Sequence, residues 1–279
     1  MIFLILTIIS SSMISIVMRF SEGRISGKIS MLASNYLTCM LLSACYVGVD
    51  NLIAGGDKAG ITFALGGING IFYMLALVLT QQSLKKNGVV LSSVFAKTGS
   101  LLVPLFVAIC AFGEIPKGTQ IIGAILAIIA IIVINYEGNK EHADASFLLI
   151  LLFLIEGMAS AMSKIFGELG SNRLSGNFLL YTFTAAFILS VCVAFYKRER
   201  LGKAEIFYGV LIGIPNFFAS RFILKALEEI PAIIVYPTRG VGGIVLVLLA
   251  GVFLFGERLK KRQWWAIAVV VMAVGLLNI

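Results

Sequence analysis

Residues 112–120 read FGEIPKGTQ, and 143 positions later residues 255–263 read FGERLKKRQ. In this frame Lys117 aligns with Lys260 without a gap. Charged and amide residues match by chance much less often than apolar residues do, so the chain predicts an internal repeat. The same shift pairs Gln120 with Gln263, Leu84 with Leu227, Gly99 with Gly242 and Asn135 with Asn278.

The start of each half also repeats, with a shift of 149 positions. This shift pairs Arg24 with Arg173, and the dipeptide Ser26-Gly27 with Ser175-Gly176. The two frames together divide the chain into a first repeat, residues 1–139, and a second repeat, residues 140–279. Further pairs in this frame are Ser11 with Ser160 and Met13 with Met162.

The composition requires lipid as the solvent for most of the chain. Of the 279 residues, 59% are hydrophobic and 13% are charged, whereas soluble domains carry about 25% charged residues. A helix that crosses the hydrocarbon core needs roughly 20 mostly apolar residues. Ten such spans are predicted, at residues 1–18, 30–49, 60–82, 89–112, 117–135, 146–167, 176–196, 204–225, 231–255 and 262–279.

The predicted fold class is an all-α membrane protein with ten transmembrane helices. The gaps between spans are short, and the alternation typical of barrel strands is absent, so helices are the expected form. The first five spans correspond to the last five. An odd number of spans per repeat turns the second half upside down relative to the first. Inverted five-helix repeats with a site near the bilayer midplane are typical of secondary transporters.

The basic residues between the spans predict the orientation. One side carries fourteen Lys and Arg residues, and the other carries only four. The positive-inside rule makes the richer side cytoplasmic, so both termini are expected outside, in the plasma membrane of a bacterium. The first span lacks a basic start and a clear small-residue cleavage site, so we interpret it as a helix rather than a signal peptide.

The net charge of +8 does not indicate nucleic-acid binding, because the basic residues lie in short gaps and form no basic domain. The four cysteines lie in apolar stretches without a CxxC pair, and His142 is the single histidine, which argues against a metal site. We therefore expect no cofactor. The expected partners are the bilayer, a small-molecule substrate and a coupling proton or ion, for a monomer or homodimer.

The dipeptides Gly113-Glu114 and Gly256-Glu257 follow the fourth and ninth spans. Together with the repeat and the ten spans, they resemble the EamA-like proteins of the drug/metabolite transporter superfamily, over essentially the whole chain. The resemblance implies a central cavity lined by helices 1, 3, 4, 6, 8 and 9, and alternating access without ATP. It leaves the substrate open. Glu114 and Glu257 also lie where helices begin, and there a carboxylate complements the helix dipole.

Charged side chains within the spans are the main candidates for function. A charge at membrane depth costs roughly 2.5–3.5 kcal/mol even on lenient scales, so it needs a compensating role. Lys164 and Arg221 lie toward the ends of their spans, where a long side chain can also reach the interface. The candidates are Lys97 in the fourth span, Glu156 and Lys164 in the sixth, Arg221 in the eighth and Arg239 in the ninth.

Glu156, Ser160 and Lys164 form one stripe along the sixth helix, because they are spaced four residues apart. The 149-residue shift maps them onto Thr7, Ser11 and Ser15 of the first span. Two matching polar stripes are expected if these helices face each other across a hydrated cavity. The serines and threonine are equally explained by hydrogen bonds to their own backbone carbonyls.

Lys97 and Arg239 each lie about eight residues inside their spans, which makes them the better cavity candidates. Pro237 and Gly240 flank Arg239, so they are candidates for a gate, although ordinary close packing explains them equally well. Further candidate substrate-binding residues are Asn69 and Tyr73 in the third span, Asn216 in the eighth and Tyr236 in the ninth, beside Ser11 and Ser160.

Four cations against one acid predict a positive interior, in which an anionic or zwitterionic solute is favoured. The sequence therefore predicts a secondary active transporter for a small polar metabolite, with an amino acid or an organic or phosphorylated anion favoured. Glu156 is either the counter-ion of Lys97 or Arg239, or the group that couples transport to protons. The alternatives are a membrane-embedded enzyme acting on lipid-linked substrates and a passive channel.

Overall fold

A computed structural model describes residues 2–113, 118–119, 121–123, 125–126, 140–230, 232–256 and 261–277. Helix α1 is Ile2–Ser21 and α2 is Lys28–Val47. One long helical stretch, Ala59–Phe112, contains two arms, α3 (59–87) and α4 (89–112). The remaining helices are α5 Lys140–Leu169, α6 Ser175–Tyr196, α7 Lys203–Glu229, α8 Ala232–Phe255 and α9 Lys261–Leu277.

The two arms of the long stretch are separated at Gly88, whose φ of 78° and ψ of 173° are not helical. Such a positive φ favours glycine, which has no Cβ to clash. A straight helix of 54 residues would extend about 80 Å, far more than the roughly 30 Å of a hydrocarbon core. The break therefore lets one continuous helical stretch supply two antiparallel crossings.

The described helices confirm an all-α membrane protein. Seven helical segments are long and apolar enough to cross a membrane, and the described ranges contain no strand. Helices α1–α4 fall on the first four predicted spans, and α5–α9 fall on the sixth to tenth. Most of the fifth predicted span, 117–135, lies outside the described residues, as do Glu114 and Glu257. Within that span, residues 118–119, 121–123 and 125–126 are helical.

The connections between helices gather at two ends of the bundle. At the end where α1 finishes, called the lower end, Arg19 Nη1 donates to the carbonyl of Leu84 at 3.2 Å. Phe20 lies with its ring centroid 4.8 Å from that of Phe255. At the opposite, upper end, Lys58 Nζ donates to the carbonyl of Gly170 at 2.8 Å. Helices α1, α3 and α8 thus end together at the lower end, and α5 ends at the upper end, where α3 begins.

Two carboxylates from the other half of the chain cap helix α2 at the lower end. Its N-cap residue is Gly27, which has no side chain to accept from the first amides of the helix. Glu199 Oε2 accepts from the amides of Ile29, at 2.7 Å, and Ser30, at 3.1 Å. Glu205 Oε1 accepts from the amides of residues 26 and 27. The carboxylates satisfy free amides and complement the helix dipole, which ties the α6–α7 connection to the α1–α2 connection.

Pairs of glycines let helices from the two halves approach closely. Gly66 and Gly70 of α3 pack on α6, where a Cβ at Gly70 would lie 2.5 Å from the carbonyl oxygen of Thr182. Gly209 and Gly213 of α7 pack on α2 in the same way. The second pair follows the first by 143 residues, and each pair has the small-xxx-small spacing of close membrane-helix contacts.

The contacts of α4 and α8 follow the same relation. A Cβ at Gly99 of α4 would lie 2.0 Å from the carbonyl oxygen of Phe153 in α5. Gly242 of α8, its partner in the 143-residue frame, packs against the side chain of Ile8 in α1. Each of these helices therefore packs, through an equivalent glycine, on the first helix of the opposite half.

Replacing Gly70 by alanine is expected to destabilise the protein. The new Cβ would overlap the α6 backbone, and overpacking of this kind costs about 1–3 kcal/mol. Gly67→Ala in the same helix is the matched control, because nothing lies within 4 Å of its Cβ position. Thermal unfolding of the purified variants in detergent should show a lower Tm for Gly70→Ala than for Gly67→Ala. Equal midpoints would contradict the close α3–α6 packing.

Candidate functional site

Six helices, α1, α3, α4, α5, α7 and α8, enclose a central cavity of about 90 Å³. A site for one ordered water requires roughly 10–15 Å³ on this measure, so the cavity holds a few waters or a small solute. These are the helices that the family resemblance implied, numbered 1, 3, 4, 6, 8 and 9 there. The polar residues that line it are Ser11, Ser15, Tyr73, Thr80, Ser92, Ser93, Lys97, Ser100, Glu156, Ser160, Ser163, Asn216, Ser220, Tyr236 and Arg239.

Lys97 crosses from α4 toward α1. Its side chain is 7% exposed, and its Nζ donates to Ser11 Oγ at 2.8 Å. The aliphatic stem lies against Gly243 of α8, where a Cβ would be 2.9 Å from Lys97 Cε. A larger residue at position 243 would compete with the stem for this space. The ammonium group is therefore held between helices from both halves of the chain.

Glu156 of α5 accepts a hydrogen bond from Thr80 Oγ1 at 3.3 Å. Within the described ranges, no cation lies within the 4.0 Å of an ion pair with its carboxylate. Lys97 and Arg239 nevertheless line the same cavity as Glu156. Coulomb interactions are weakly screened in a low-dielectric interior, so the three charges interact across the cavity without a direct ion pair.

Arg239 extends the charged group to helix α8. Its Nε is buried and has no hydrogen-bond partner among the described residues, and the same is true of Ser93 Oγ. A buried donor without a partner costs roughly 1–3 kcal/mol. One turn earlier, Tyr236 donates from its hydroxyl to the carbonyl of Ser160 at 3.4 Å. The cavity wall thus combines satisfied groups with two polar atoms that are left for water or a solute.

Tyr73 and Asn216 line the cavity and connect it to the helices behind it. The hydroxyls of Tyr73 and Ser220 lie 3.1 Å apart, which joins α3 to α7. Asn216 Nδ2 donates to Asn35 Oδ1 of α2 at 3.2 Å. Tyr36 of α2 donates from its hydroxyl to the carbonyl of Tyr73. These contacts fix the two side chains in place, as a binding wall requires.

Two candidates from the sequence lie elsewhere. Asn69 is fully buried, and its Nδ2 donates to Thr182 Oγ1 of α6 at 3.2 Å, away from the cavity. Lys164 lies beyond the cavity toward the upper end, where its Nζ is 2.6 Å from Glu168 Oε1. Lys164 sits two turns along α5 from Glu156, which is far enough to leave the cavity even though both share a stripe.

The two gating candidates, Pro237 and Gly240, lie in α8 next to the cavity-lining Tyr236 and Arg239. The helix continues through Pro237, and Gly240 is buried one residue after Arg239. Whether they form a gate stays a prediction.

Thr80 and Ser163 line the cavity although the sequence analysis did not select them. Thr80 lies seven residues, or two helical turns, after Tyr73 in α3, so it falls on the same face. The seven-residue spacing from Tyr73 is the sequence signal that points to Thr80. Ser163 lies three residues after Ser160 and is its neighbour on α5. The sequence alone does not distinguish these two residues, because uncharged hydroxyls are common in membrane helices and commonly bond to their own backbone.

A bundle of membrane helices around a charged cavity is an architecture typical of membrane transport proteins. Residues 145–279 match the EamA-like transporter family.

Two known proteins and one solved structure are similar to this chain. An uncharacterized protein of Haemophilus influenzae is 24% identical over 281 residues, which cover 95% of this chain and 93% of that protein. The spermidine export protein MdtI of Citrobacter koseri is 29% identical over 94 residues, which cover 34% of this chain and 84% of that protein. A crystal structure with 17% identity matches with a TM-score of 0.67, over 99% of this chain and 95% of the other, and supports the fold.

Proposed function

We propose that the protein is a secondary active transporter that moves a small polar metabolite by alternating access. The observation that carries the proposal is the placement of Lys97 and Arg239 at one cavity, opposite Glu156. Two cations and one acid leave a positive wall, which favours a carboxylate, a phosphate or a zwitterionic amino acid. The cavity also holds neutral hydrogen-bonding groups around these charges, from Ser11, Ser160, Tyr73, Asn216 and Tyr236.

The relationship to a spermidine exporter suggests a polycationic substrate as the competing choice. That similarity covers about a third of this chain. A polyamine would bring several positive charges next to Lys97 and Arg239, and like charges at such distances repel strongly in a weakly screened cavity. The charge of the cavity therefore favours an anionic or zwitterionic substrate over a polyamine.

The packing supports alternating access between two inverted five-helix halves, residues 1–139 and 140–279. Glycines in equivalent positions pack on exchanged partners, α3 on α6 and α7 on α2. Phe112, the last residue of α4, lies with its ring centroid 6.0 Å from Lys164 Nζ of α5. Helix α4 therefore ends at the upper end. Helix α5 ends there too, so it begins at the lower end. A fifth crossing over 117–135 joins these ends in the ten-span topology that we propose.

We favour a carrier over a channel because hydrogen bonds join helices at the lower end of the bundle, beside the cavity. Near the break at Gly88, the hydroxyls of Ser83 and Ser92 lie 2.8 Å apart, and Asn87 Nδ2 donates to Ser83 Oγ at 3.2 Å. Ser92 also lines the cavity. The cavity floor is thus continuous with the polar contacts that join α3 to α4, and opening it requires a rearrangement of helices.

Lys97→Ala and Arg239→Ala are each expected to weaken transport of an anionic substrate. Loss of one hydrogen bond to a charged group costs about 1.5–3 kcal/mol, so KM should rise at least about tenfold. Counterflow in proteoliposomes, first with a panel of anionic and zwitterionic metabolites, measures this. Lys197→Ala is the control, because Lys197 is exposed at the lower end.

Wild-type kinetics for both cavity variants with every anionic substrate would refute the binding role. Flux that increases linearly with the gradient, without saturation or counterflow, would instead favour the channel.

Glu156→Gln is expected to remove proton coupling while leaving substrate exchange intact. A glutamine keeps the hydrogen-bonding shape beside Thr80 but cannot carry a proton. If Glu156 is the coupling group, the variant retains counterflow at equal pH but loses accumulation driven by a pH gradient. Asp57→Asn, in the connection between α2 and α3, is the control, because Asp57 is exposed and does not line the cavity. Equal loss of both activities would make Glu156 a counter-ion only.

A further inference from the structure

A second polar pocket, larger than the central cavity, lies at the upper end of the bundle. We call it the outer pocket; its volume is about 780 Å³. It is formed by the end of α2, the connection that follows it, the 3-10 turn Asn172–Leu174, the start of α6 and the side of α7. This volume lies within the usual range of small-molecule sites.

Arg221 forms the fixed wall of the outer pocket. Its side chain is 7% exposed, and its guanidinium carbon lies 4.1 Å from the ring centroid of Tyr46. Its nitrogens donate to Ser175 Oγ, at 3.3 Å, and to the hydroxyl of Tyr46. In the described part of the chain, no carboxylate lies within 4.0 Å of it. Neutral partners orient the guanidinium but leave its charge uncompensated.

The other charged residues of the outer pocket are also mostly basic. Arg173 and Lys225 line it, and Glu228 is the one acid among its described lining residues, with its carboxylate 3.8 Å from Lys225 Nζ. The upper end of the bundle has few basic residues, and three of them, Arg173, Arg221 and Lys225, line this one pocket. Three cations against one acid give this pocket a positive potential.

A further pocket, of about 230 Å³, lies between the outer pocket and the central cavity. Its lining includes Asn172, Ser175 and Glu228, which also line the outer pocket, and Ser163, which also lines the cavity. Lys164 also lines it. The carboxylates of Glu168 and Glu228 line it as well, and Glu168 is paired with Lys164, so the positive potential belongs to the outer pocket and the central cavity and not to the space between them.

We propose that the outer pocket is a second anion-binding site, in which Arg221 binds the carboxylate or phosphate of a solute before it reaches the central cavity. A guanidinium presents paired N–H donors that suit both groups. The positive potential of the outer pocket raises the local concentration of anions at the upper end of the bundle. The direction of transport rests on the proposed function, whereas the charge preference of the pocket does not.

The charge preference can be measured without a transport assay. One accessible thiol, Asn172→Cys, is introduced into the full-length chain after the exposed Cys45, Cys110 and Cys192 are replaced by alanine; the remaining Cys39 is buried, and the same protein without Asn172→Cys measures its background reaction. The protein in phosphatidylcholine nanodiscs is then treated with anionic sulfonatoethyl or cationic trimethylammonioethyl methanethiosulfonate. We expect faster reaction with the anionic reagent, and protection of the thiol by inorganic phosphate.

Arg221→Gln should lower the anionic-to-cationic rate ratio roughly three- to tenfold and abolish protection by phosphate. Lys225→Gln, at a partly exposed position, should lower the ratio less and tests the pocket without removing the contact between Arg221 and Tyr46. Lys197→Gln at the lower end is the control and should leave the ratio unchanged. An unchanged ratio in both Arg221→Gln and Lys225→Gln would overturn the proposal.

A final comparison separates a soluble anion from a lipid headgroup. Addition of phosphatidylglycerol to the nanodiscs should not protect the thiol in the absence of phosphate. Protection by phosphatidylglycerol but not by phosphate would overturn the solute site. If the charge preference holds while Lys97→Ala transports normally, the outer site stands and the proposed central site fails, so the two outcomes are distinguishable.

Discussion

The structure depends on the cost of placing charge where no water is available to solvate it. Hydrocarbon offers neither hydrogen bonds nor dielectric screening, so an ionic side chain in a membrane helix is stabilised only by other polar groups of the bundle. Lys97, Glu156 and Arg239 come from three helices, and all three line one cavity. The cavity concentrates the cost of buried charge at one place, which is where a polar solute can interact with it.

Close helix packing makes this arrangement possible. Between membrane helices the hydrophobic effect contributes little, because lipid tails are as apolar as leucine, so association relies on backbone proximity and on polar contacts. Gly66, Gly70, Gly209 and Gly213 provide that proximity between the halves. Hydrogen bonds such as Asn216 to Asn35 and Tyr73 to Ser220 add to it. The same contacts set the distances across the cavity.

The two ends of the bundle differ in how their polar groups are used. At the lower end, Glu199 and Glu205 bind free amides of the opposite half and hold the connections together. At the upper end, Arg221 is held by neutral hydroxyls and lines the outer pocket. Polar groups therefore join the halves at the lower end and line open space at the upper end.

The sequence alone determined that the chain is an all-α membrane protein, because apolar runs of sufficient length have only one stable form in lipid. Eight of the ten substrate-binding candidates chosen from the sequence line the cavity. Lys97, Glu156 and Arg239 could be chosen because buried charge is costly enough to require a role. Tertiary structure decided the rest. Helical periodicity gives the face of a residue but not the neighbour of that face, so only packing could direct Asn69 to α6, pair Lys164 with Glu168, and bring Thr80 to Glu156.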